Sequence, residues 1–330
     1  LFLNNQEIKD LGGEDMQAVL HDCQRAYVLM EEGDVLAPTK CVMRWGKTPE
    51  DENVLGRINA MPGYIGGRFN MPGIKWIGSG PQNPFKYGLP RGSAVIVLND
   101  PETKVPIAIM DGTLISAIRT GAVTGFCAKY MAPSRSKTVG LFGAGPQCKT
   151  QLMALKASLP QLEKAYVYDL SRERAEKFAA EMSQKLSMDV QAASDRLATI
   201  KSGDILVTAA TATKPIIHGA EIKKGVYVAH LGDNEVDEEL ILRADKVVID
   251  DWETDKHRMG DTMAYMFRDG KIGDSRIDAS VSDLVAGRKS GRDNVGLGLY
   301  DVAIAARVYQ YAKENGIGQK LKLWDEPIMV

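Results

Sequence analysis

The chain has 330 residues, 44% of them hydrophobic and 25% charged, which is typical of a soluble globular protein with room for two domains. A formal net charge of −2 without a polybasic run argues against nucleic acid or an anionic membrane surface as a partner. No apolar run approaches the roughly 20 residues of a membrane-spanning helix, and the N-terminal segment LFLNNQEIKD becomes polar too soon for a signal peptide.

The cysteines and histidines do not follow metal-binding patterns. Cys23, Cys41, Cys127 and Cys148 lie far apart without a CxxC pair, which in a chain of this size indicates reduced thiols and a cytoplasmic protein. The four histidines show no metal-ligand spacing, and HExxH does not occur. We therefore expect no metal site.

The first 130 residues predict an α+β region. A helix is expected over about 15–32, followed by the strand-like runs LGRINAMPGYIGG, GIKWIGSG and GSAVIVLND. Pro-Gly and Gly-Gly turn signals separate these runs and favour antiparallel pairing. Residues 111–132 then predict a helix with a broad apolar stripe.

From Thr138 onward, strand-like segments alternate with helical ones. A strand in TVGLFG precedes a helix over 147–158, and another helix over 171–186 has Ser171 as its expected N-cap. The further strand-like segments are KAYVYD (164–169), DVQAAS (189–194), DILVTAAT (204–211), VYVAHLG (226–232) and KVVIDD (246–251). Nearly continuous apolar runs are what parallel strands covered on both faces need. This pattern predicts an α/β fold with a Rossmann-type, doubly wound parallel sheet.

The last predicted helix covers 300–316 and ends at Gly316. We expect it to pack back on the N-terminal part of the chain, so that the α+β domain consists of 1–130 and 300–330, with the Rossmann-type domain formed by 131–299.

A glycine-rich turn follows the strand TVGLFG. Gly143 would permit a tight turn, and Gly145 would let the backbone approach a pyrophosphate at a helix N-terminus. The third glycine of the dinucleotide fingerprint is replaced by Cys148, which is still small. Asp169, about twenty residues on, can bond the ribose hydroxyls of NAD and repel the phosphate of NADP. Arg172 nearby keeps NADP open as an alternative.

Three charged residues stand out, and each allows a structural and a functional interpretation. Arg119 in LISAIRTGAV is either a structural arginine, snorkelling to solvent or held in a buried ion pair, or a clamp for a carboxylate or phosphate. Lys75 in GIKWIG is either an exposed strand lysine or a functional one. Asp233 follows a predicted parallel strand, where ligands meet catalytic groups, but it could equally be a helix N-cap. His230 is interpreted as a strand residue, and the run DNEVDEEL as a solvated helix start.

Several motifs then occur in an order that resembles the ornithine cyclodeaminase/mu-crystallin family over essentially the whole chain: GIKWIGSG, LNDPETKVPIAIMDGTLISAIRTGA, GLFGAGPQ, VAHLGD and VGLGLYDVA. The resemblance implies a Rossmann-type nucleotide domain joined to an N-terminal α+β domain that binds substrate and forms a homodimer. GRINAMPGYIGG, GIKWIGSG and VVIDDW are most similar to the branch that makes 2,3-diaminopropionate precursors, whereas the Gly232-Asp233 pair is more similar to the cyclodeaminase branch.

The resemblance also implies roles for individual residues. Lys75 and Arg119 correspond to substrate-contacting residues, Lys75 with a catalytic role as well, and Asp233 corresponds to the catalytic acid/base. The carboxylate anchor, an arginine in many members, is either Lys40 or Arg57 here. The residues implied to line the cofactor are Arg119, Thr120, Gly143, Ala144, Gly145, Pro146, Gln147, Asp169, Leu170, Ser171, Arg172, Thr208, Ala209, Ala210, Thr211, Leu231, Gly232 and Asn294. The family's cyclodeaminases have a Pro-Gly-Lys-type turn after the aspartate, where this chain has residues 234–237, Asn-Glu-Val-Asp, which leaves the substrate open.

These features predict an NAD(P)-dependent oxidoreductase that acts at the α-carbon of an amino or imino acid and is similar to ornithine cyclodeaminase. The expected cofactor is NAD, with NADP possible. The alternatives are an amino-carboxyethyl glutamate dehydrogenase, a ketimine reductase and an alanine dehydrogenase. A binding protein for NADP(H) and a small ligand is the alternative that is not an enzyme.

Overall fold

The computed structural model describes residues 1–46, 56–210, 212, 214–250, 252–257, 260–286 and 299–322. The chain divides into two compact units. Unit 1 comprises Leu1–Asp22, Glu32–Ser116 and Gly296–Val330, and unit 2 comprises Cys23–Glu31 and Ala117–Val295. The predicted domain boundaries lie at 130/131 and 299/300. The first differs from the bound of unit 1 at Ser116 because the chain passes from unit 1 to unit 2 within the helix Thr113–Met131. Which domain binds which ligand stays a prediction.

Unit 1 is an antiparallel sheet with helices. Its strands within the described residues are β1 (Phe2–Leu3), β2 (Val35–Leu36), β3 (Cys41–Met43), β4 (Arg57–Ile65), β5 (Met71–Ser79), β6 (Gly92–Asn99) and β7 (Pro106–Asp111). They form one sheet in the order β1-β7-β6-β5-β4-β2, and β3 also pairs with β4. Only the β1–β7 pair is parallel in this described sheet. The predicted α+β character is confirmed.

The helices of this part of the chain are α1 (Asn5–Asp10), α2 (Met16–Glu31), α3 (Asn83–Lys86), α4 (Thr113–Met131) and α12 (Leu299–Asn315). Two of them, α2 and α4, each contribute residues to both units. As expected, α12 packs against β4, β5 and β6, and Gly316 follows it with a φ of 66°. The sheet face toward the core carries buried residues such as Met61, Ile96 and Met110.

Unit 2 contains the predicted parallel sheet. Its strands are β8 (Thr138–Phe142), β9 (Lys164–Tyr168), β10 (Asp189–Ala192), β11 (Ile205–Thr208) and β12 (Tyr227–His230), in the order β10-β9-β8-β11-β12. In chain order this is 3-2-1-4-5, the arrangement of Rossmann-type domains, with the switch point between β8 and β11. The connecting helices are α5 (Pro146–Ser158), α6 (Arg172–Leu186) and α7 (Arg196–Ser202). Ser171 is the N-cap of α6, as predicted.

The later elements of unit 2 are α8 (Glu238–Arg243), β13 (Val248–Ile249), α9 (Trp252–Asp255), α10 (Thr262–Arg268), β14 (Ala279–Ser280) and α11 (Val281–Ala286). The prediction that 246–251 belongs to the large parallel sheet is wrong. Of the described residues 246–250, only Val248–Ile249 form a strand, and this strand pairs with β14 in a separate two-stranded sheet. The carboxylate of Asp278 accepts from the Val247 amide (2.8 Å) and from Lys246 (2.9 Å), which fixes this segment beside β14.

None of the helices in the described part of the chain has the length and apolar character that crossing a bilayer requires.

Candidate functional site

The glycine-rich turn joins β8 to α5 in unit 2. Gly143 has a φ of 106°, a conformation that favours glycine, and its amide donates to the Tyr168 carbonyl (2.8 Å). A Cβ at this position would lie 3.1 Å from the carbonyl oxygen of Ala209. Gly145 is the N-cap of α5, and a Cβ there would meet no described atom within 4 Å. The backbone at the start of α5 can therefore be approached by a ligand.

Cys148 closes the turn from the helix side. Its side chain is buried, and its Sγ donates to the carbonyl of Phe142 (3.5 Å) at the end of β8. A small side chain here allows α5 to lie close to β8, as expected for the third position of the fingerprint. Burial raises the pKa of the Cys148 thiol, so this thiol is structural rather than reactive.

Asp169 follows β9 and connects the glycine-rich turn to the next strand. Its Oδ2 accepts from the Ala144 amide (2.8 Å) and its Oδ1 from the Ser171 amide (2.9 Å). The guanidinium of Arg174 lies 3.4 Å from Oδ2. Arg172, in contrast, bonds the Glu176 carboxylate (2.7 Å) and the Ala193 carbonyl (3.0 Å). The arginine nearest to the Asp169 carboxylate is thus Arg174, which sequence reasoning missed.

The ends of β11 and β12 lie at the same edge of the sheet as the turn. The Ala209 amide donates to Phe142 (3.1 Å), and the Leu231 amide donates to Thr208 (3.1 Å). The structure thus brings together the predicted cofactor residues at the carboxyl ends of the strands: Gly143, Ala144, Gly145, Pro146, Gln147, Asp169, Ser171, Thr208, Ala209, Ala210, Leu231 and Gly232. Leu170 is 95% exposed beside them. Thr211 and Asn294 lie outside the described residues.

Asp233 lies three residues after His230, the last residue of β12, and is half-buried. It is not a helix cap, because α8 begins at Glu238 and its N-cap is Asp237, whose carboxylate accepts from the Leu240 amide (2.9 Å). Gly260 lies against the Asp233 side chain, so that a Cβ on Gly260 would be 3.4 Å from the Asp233 Cβ. Asp233 therefore belongs to the loop after β12 rather than to a helix cap, and its catalytic role stays a prediction.

Glu235, two residues after Asp233, is an acidic residue that the sequence analysis did not single out. It is fully buried, so the interpretation of DNEVDEEL as a solvated helix start is wrong at this position, although it holds for Asp237 and Glu238. Its Oε2 accepts from the Gly232 amide (3.2 Å). Burial raises the pKa of Glu235 to about 7. The sequence signal that could have identified Glu235 is its place in residues 234–237, where the family's cyclodeaminases have a Pro-Gly-Lys-type turn.

In unit 1, Lys75 points into the core. It is only 1% exposed, and its Nζ lies 2.6 Å from the Asp301 carboxylate and 3.2 Å from the Ser116 hydroxyl. The alternative of an exposed strand lysine is therefore wrong. The neighbouring Trp76, on the opposite face of the strand, is exposed instead. Asp301 was missed, although a carboxylate in the apolar helix LYDVAIAARV is the same kind of signal as Arg119.

Arg57 and Lys40 also lie in unit 1. Arg57 is the first residue of β4, where strand alternation places it on the same sheet face as Met61, the partner of Lys75. Lys40 is half-buried directly before β3. Arg119 and Thr120 are half-buried in α4 and belong to unit 2, together with Asp233.

Among the described residues, no group of His, Cys, Asp and Glu is arranged to bind a metal ion. His230 is the last residue of β12 and is half-buried, in line with its interpretation as a strand residue.

Comparison with known proteins agrees with this architecture. Residues 7–316 match the model of the ornithine cyclodeaminase/mu-crystallin family. N-((2S)-2-amino-2-carboxyethyl)-L-glutamate dehydrogenase of Staphylococcus aureus is 31% identical over 334 residues, covering 98% of each chain. The structure of Thermococcus litoralis Δ(1)-pyrroline-2-carboxylate reductase, in complex with NADH and L-proline, has a TM-score of 0.88 and 34% identity over 97% of this chain and 100% of that one. An archaeal alanine dehydrogenase dimer with bound NAD has a TM-score of 0.86 and 30% identity, over 98% and 99% of the two chains. The chain belongs to the ornithine cyclodeaminase/mu-crystallin family.

Proposed function

We propose that the protein is an NAD-dependent oxidoreductase that acts at the Cα–N bond of a small amino or imino acid. The observation that carries this proposal is the assembly of the glycine-rich turn, Asp169 and the ends of β11 and β12 at one edge of the parallel sheet. Relatives with about a third of their residues identical over nearly the whole chain are dehydrogenases or reductases of this kind by name.

The turn fits the pyrophosphate of a dinucleotide. The first turn of α5 has backbone N–H groups without intrahelical partners, and the space at Gly145 leaves them accessible. The Asp169 carboxylate accepts two backbone bonds, whereas a carboxylate has about four acceptor positions, so it can also accept from ribose hydroxyls. Its negative charge disfavours a 2′-phosphate, and this supports NAD over NADP.

When bound, NAD supplies the acceptor or donor of a hydride at the substrate α-carbon. An α-amino group is mostly ammonium near neutral pH and must lose a proton before its nitrogen can form a C=N bond. We assign this proton to Asp233, which returns it when an imine is reduced. By the resemblance to the family, the candidates that bind the substrate carboxylate and polarise the imine are Arg119, Lys75 and either Lys40 or Arg57.

Dehydrogenation or imine reduction is favoured over cyclodeamination for this chain. The loop after Asp233 has Asn-Glu-Val-Asp instead of the Pro-Gly-Lys-type turn of the family's cyclodeaminases, and its Glu235 is buried. The substrate candidates are those of the similar proteins: an amino-carboxyethyl glutamate, a five-membered cyclic imino acid with its amino acid proline, and alanine.

We further propose that unit 1 binds the substrate and forms a homodimer, while unit 2 binds the nucleotide. One face of the unit 1 sheet carries exposed apolar side chains, among them Trp76, Val95 and Ile109, and the similar alanine dehydrogenase is a dimer. The four cysteines, all within the described part of the chain, form no disulfide, which supports the reducing cytoplasm as the location.

The test is a turnover panel with the purified protein. In the oxidative direction, amino acids are supplied with NAD or NADP. In the reductive direction, imino acids, or keto acids together with ammonia, are supplied with NADH or NADPH. The absorbance of the reduced cofactor, the ammonia and any cyclic product are measured in each reaction. We expect NAD-linked turnover without cyclisation, reduced roughly a hundredfold or more in Asp233→Asn. If NADH binds but every substrate fails, the protein is a ligand-binding member of the family instead.

A further inference from the structure

The loop between β12 and α8 contains a buried carboxyl group that the proposed chemistry does not use. Glu235 is fully buried, whereas Asp233, two residues earlier, is half-buried. Asn234 between them has a φ of 51°, in the left-handed region that residues other than glycine seldom occupy. The loop therefore turns sharply between its two carboxyl groups.

The backbone at the end of the loop is fixed independently of the Glu235 side chain. The Glu235 carbonyl accepts from the amides of Ile216 (2.8 Å) and Ile217 (3.1 Å), and the Asp237 amide donates to Ile217 (3.2 Å). Val236 itself is bridged to Ile217 in parallel. The end of the loop is thus anchored to residues 216–217, which lie between β11 and β12.

The Glu235 side chain connects this anchored end to the start of the loop. Its Oε2 accepts from the Gly232 amide, and the Gly232 Cα lies so close to the carboxyl group that a Cβ at 232 would overlap it. The Leu231 amide is already held by Thr208 of β11 (3.1 Å). Asp233 is the next residue after Gly232, so its backbone lies between a strand end and an anchored turn. The Glu235 carboxyl group links these two supports.

The surroundings of Glu235 favour its neutral form. Burial is the main cause that raises its pKa, and the charge of Asp233 raises it as well, while the Thr208 hydroxyl and the amides of Gly232 and Ala210 oppose this rise. The titratable groups that face it are Asp233 from the same loop and the thiol of Cys148 from α5. Both would add negative charge when ionised.

We propose that Glu235 is a positioning residue for Asp233: its protonated side chain holds the β12–α8 loop in place, and its ionisation withdraws that support. This proposal rests on the proposed acid/base role of Asp233. A neutral carboxyl group can stay enclosed beside Asp233, whereas a second negative charge there is repelled and needs solvation. The loop must then move or admit water, and the geometry of Asp233 is lost.

The experiment compares the wild type with Glu235→Gln, which is fixed in the neutral form at nearly unchanged size. Turnover at saturating substrate is measured against pH, together with hydrogen exchange of the apo-protein in peptides covering 228–240, about one pH unit below and above the pKa of Glu235. Glu238→Gln is the matched control, because Glu238 is an exposed carboxylate of the same segment that pairs with Lys271 (2.7 Å). Glu235→Met is a second neutral variant in case the first does not fold.

We expect wild-type turnover to fall roughly tenfold per pH unit once Glu235 is mostly ionised, and protection of the loop amides to fall in parallel. Glu235→Gln should keep both at the higher pH, with NADH affinity unchanged, and Glu238→Gln should behave as the wild type. Identical pH profiles and identical amide protection in the wild type and Glu235→Gln would overturn the positioning role. So would a Glu235→Gln variant that loses turnover at every pH while its amide protection stays as in the wild type.

The two proposals fail in different ways. If Asp233→Asn retains turnover, the acid/base assignment is wrong whatever Glu235 does. If Asp233→Asn is inactive while Glu235→Gln leaves the pH profile and the exchange unchanged, only the inference about Glu235 is wrong. Loop protection in Asp233→Asn, measured without turnover, should still fall as pH rises, although at a lower pH, because the Asp233 charge that raises the pKa of Glu235 is gone.

Discussion

Lys75 and Asp301 form an ion pair that is almost completely removed from water. Their side chains are 1% and 0% exposed, and 2.6 Å separates the Nζ from the carboxylate oxygen. Burying such a pair gains little net stability, because the cost of desolvating both charges offsets their attraction. Removing one partner alone strongly destabilises the folded protein, since the other charge stays buried without compensation. Lys75 therefore has a structural partner in addition to its proposed substrate.

This pair predicts a non-additive pattern of stability. Lys75→Met and Asp301→Asn should each destabilise the protein by about 3–5 kcal/mol, because each leaves one buried charge. Lys75→Met/Asp301→Leu should recover most of this loss but remain inactive. Urea unfolding measures the first effect, and kcat/KM the second.

Arg119→Met is the comparison for these variants. Arg119 is half-buried, so its loss should impair kcat/KM with much less effect on unfolding. Wild-type stability in both Lys75 and Asp301 single variants would mean that the pair is not maintained in solution. An active double variant would remove Lys75 from the chemistry.

Residues with local signals could be predicted, and residues with distant partners could not. Asp169 and Ser171 follow from spacing along the chain, since the strand–turn–helix unit that positions them is local. Asp301 lies 226 residues from Lys75, and no sequence pattern states which side chains meet over that separation. Glu235 stands in an acidic run that is typical of a helix start, and only packing shows that it is buried.

At the level of elements, the β8–α5 turn uses its two glycines for different reasons. Gly143 needs its positive φ and lies close to the Ala209 carbonyl, so it serves the fold. Gly145 has a φ of −90°, which any residue adopts, and free space around its missing side chain. The protein's own packing does not require a glycine at position 145, whereas a ligand that must approach the backbone there does.

Substituting each glycine by alanine separates the two roles. Gly143→Ala should lower stability by about 1–2 kcal/mol through the left-handed backbone, and weaken NADH binding as well. Gly145→Ala should leave thermal unfolding unchanged but weaken NADH binding, because the methyl group occupies the approach to α5. Fluorescence titration with NADH and thermal unfolding provide the measurements. Unchanged NADH affinity in Gly145→Ala would argue against a dinucleotide at this turn.

The β12–α8 loop makes stability depend on pH with an unusual sign for a carboxyl group. The pKa of Glu235 is raised from 4.5 to about 7 in the folded protein, so its contribution to stability is complete below about pH 4.5 and is lost as pH rises through 7. Relative to Glu235→Gln, the wild type should lose about 3 kcal/mol over this range. Thermal unfolding of both proteins as a function of pH measures the difference. Parallel curves would contradict the raised pKa.

Most elements could be predicted because their signals are local. The helices at 16–31, 172–186 and 299–315 have apolar periodicity, and two of them have a cap residue or a terminating glycine. The short apolar run at 246–251 predicts a strand of the large sheet, but a run of this kind does not specify which strand it pairs with. Charged groups around it, above all Asp278, decide that it pairs with β14 instead.

At the scale of the whole molecule, the sequence indicated two parts and a returning last helix. It did not indicate that the division between the compact units passes through α2 and α4, because apolar periodicity continues along each helix without a break. The resemblance, which extends over nearly the whole chain, carried the family assignment where periodicity alone gave only a fold class.

The exposed sheet face of unit 1 predicts a homodimer that a single charge should disrupt. Trp76 pairs with Val95 across β5 and β6, and Ile109 pairs with Val97 across β6 and β7, so their side chains share one face. Trp76, Val95 and Ile109 are 46%, 42% and 39% exposed, and contiguous apolar surface of this kind marks an interface. Trp76→Glu would place an unpaired charge in that interface, so we expect a monomer by light scattering coupled to size exclusion, with the fold intact by circular dichroism. Leu197→Glu, at an exposed leucine of unit 2, should leave the dimer unchanged. A wild-type monomer at micromolar concentration, or a Trp76→Glu dimer, would show that this face is not the dimer interface.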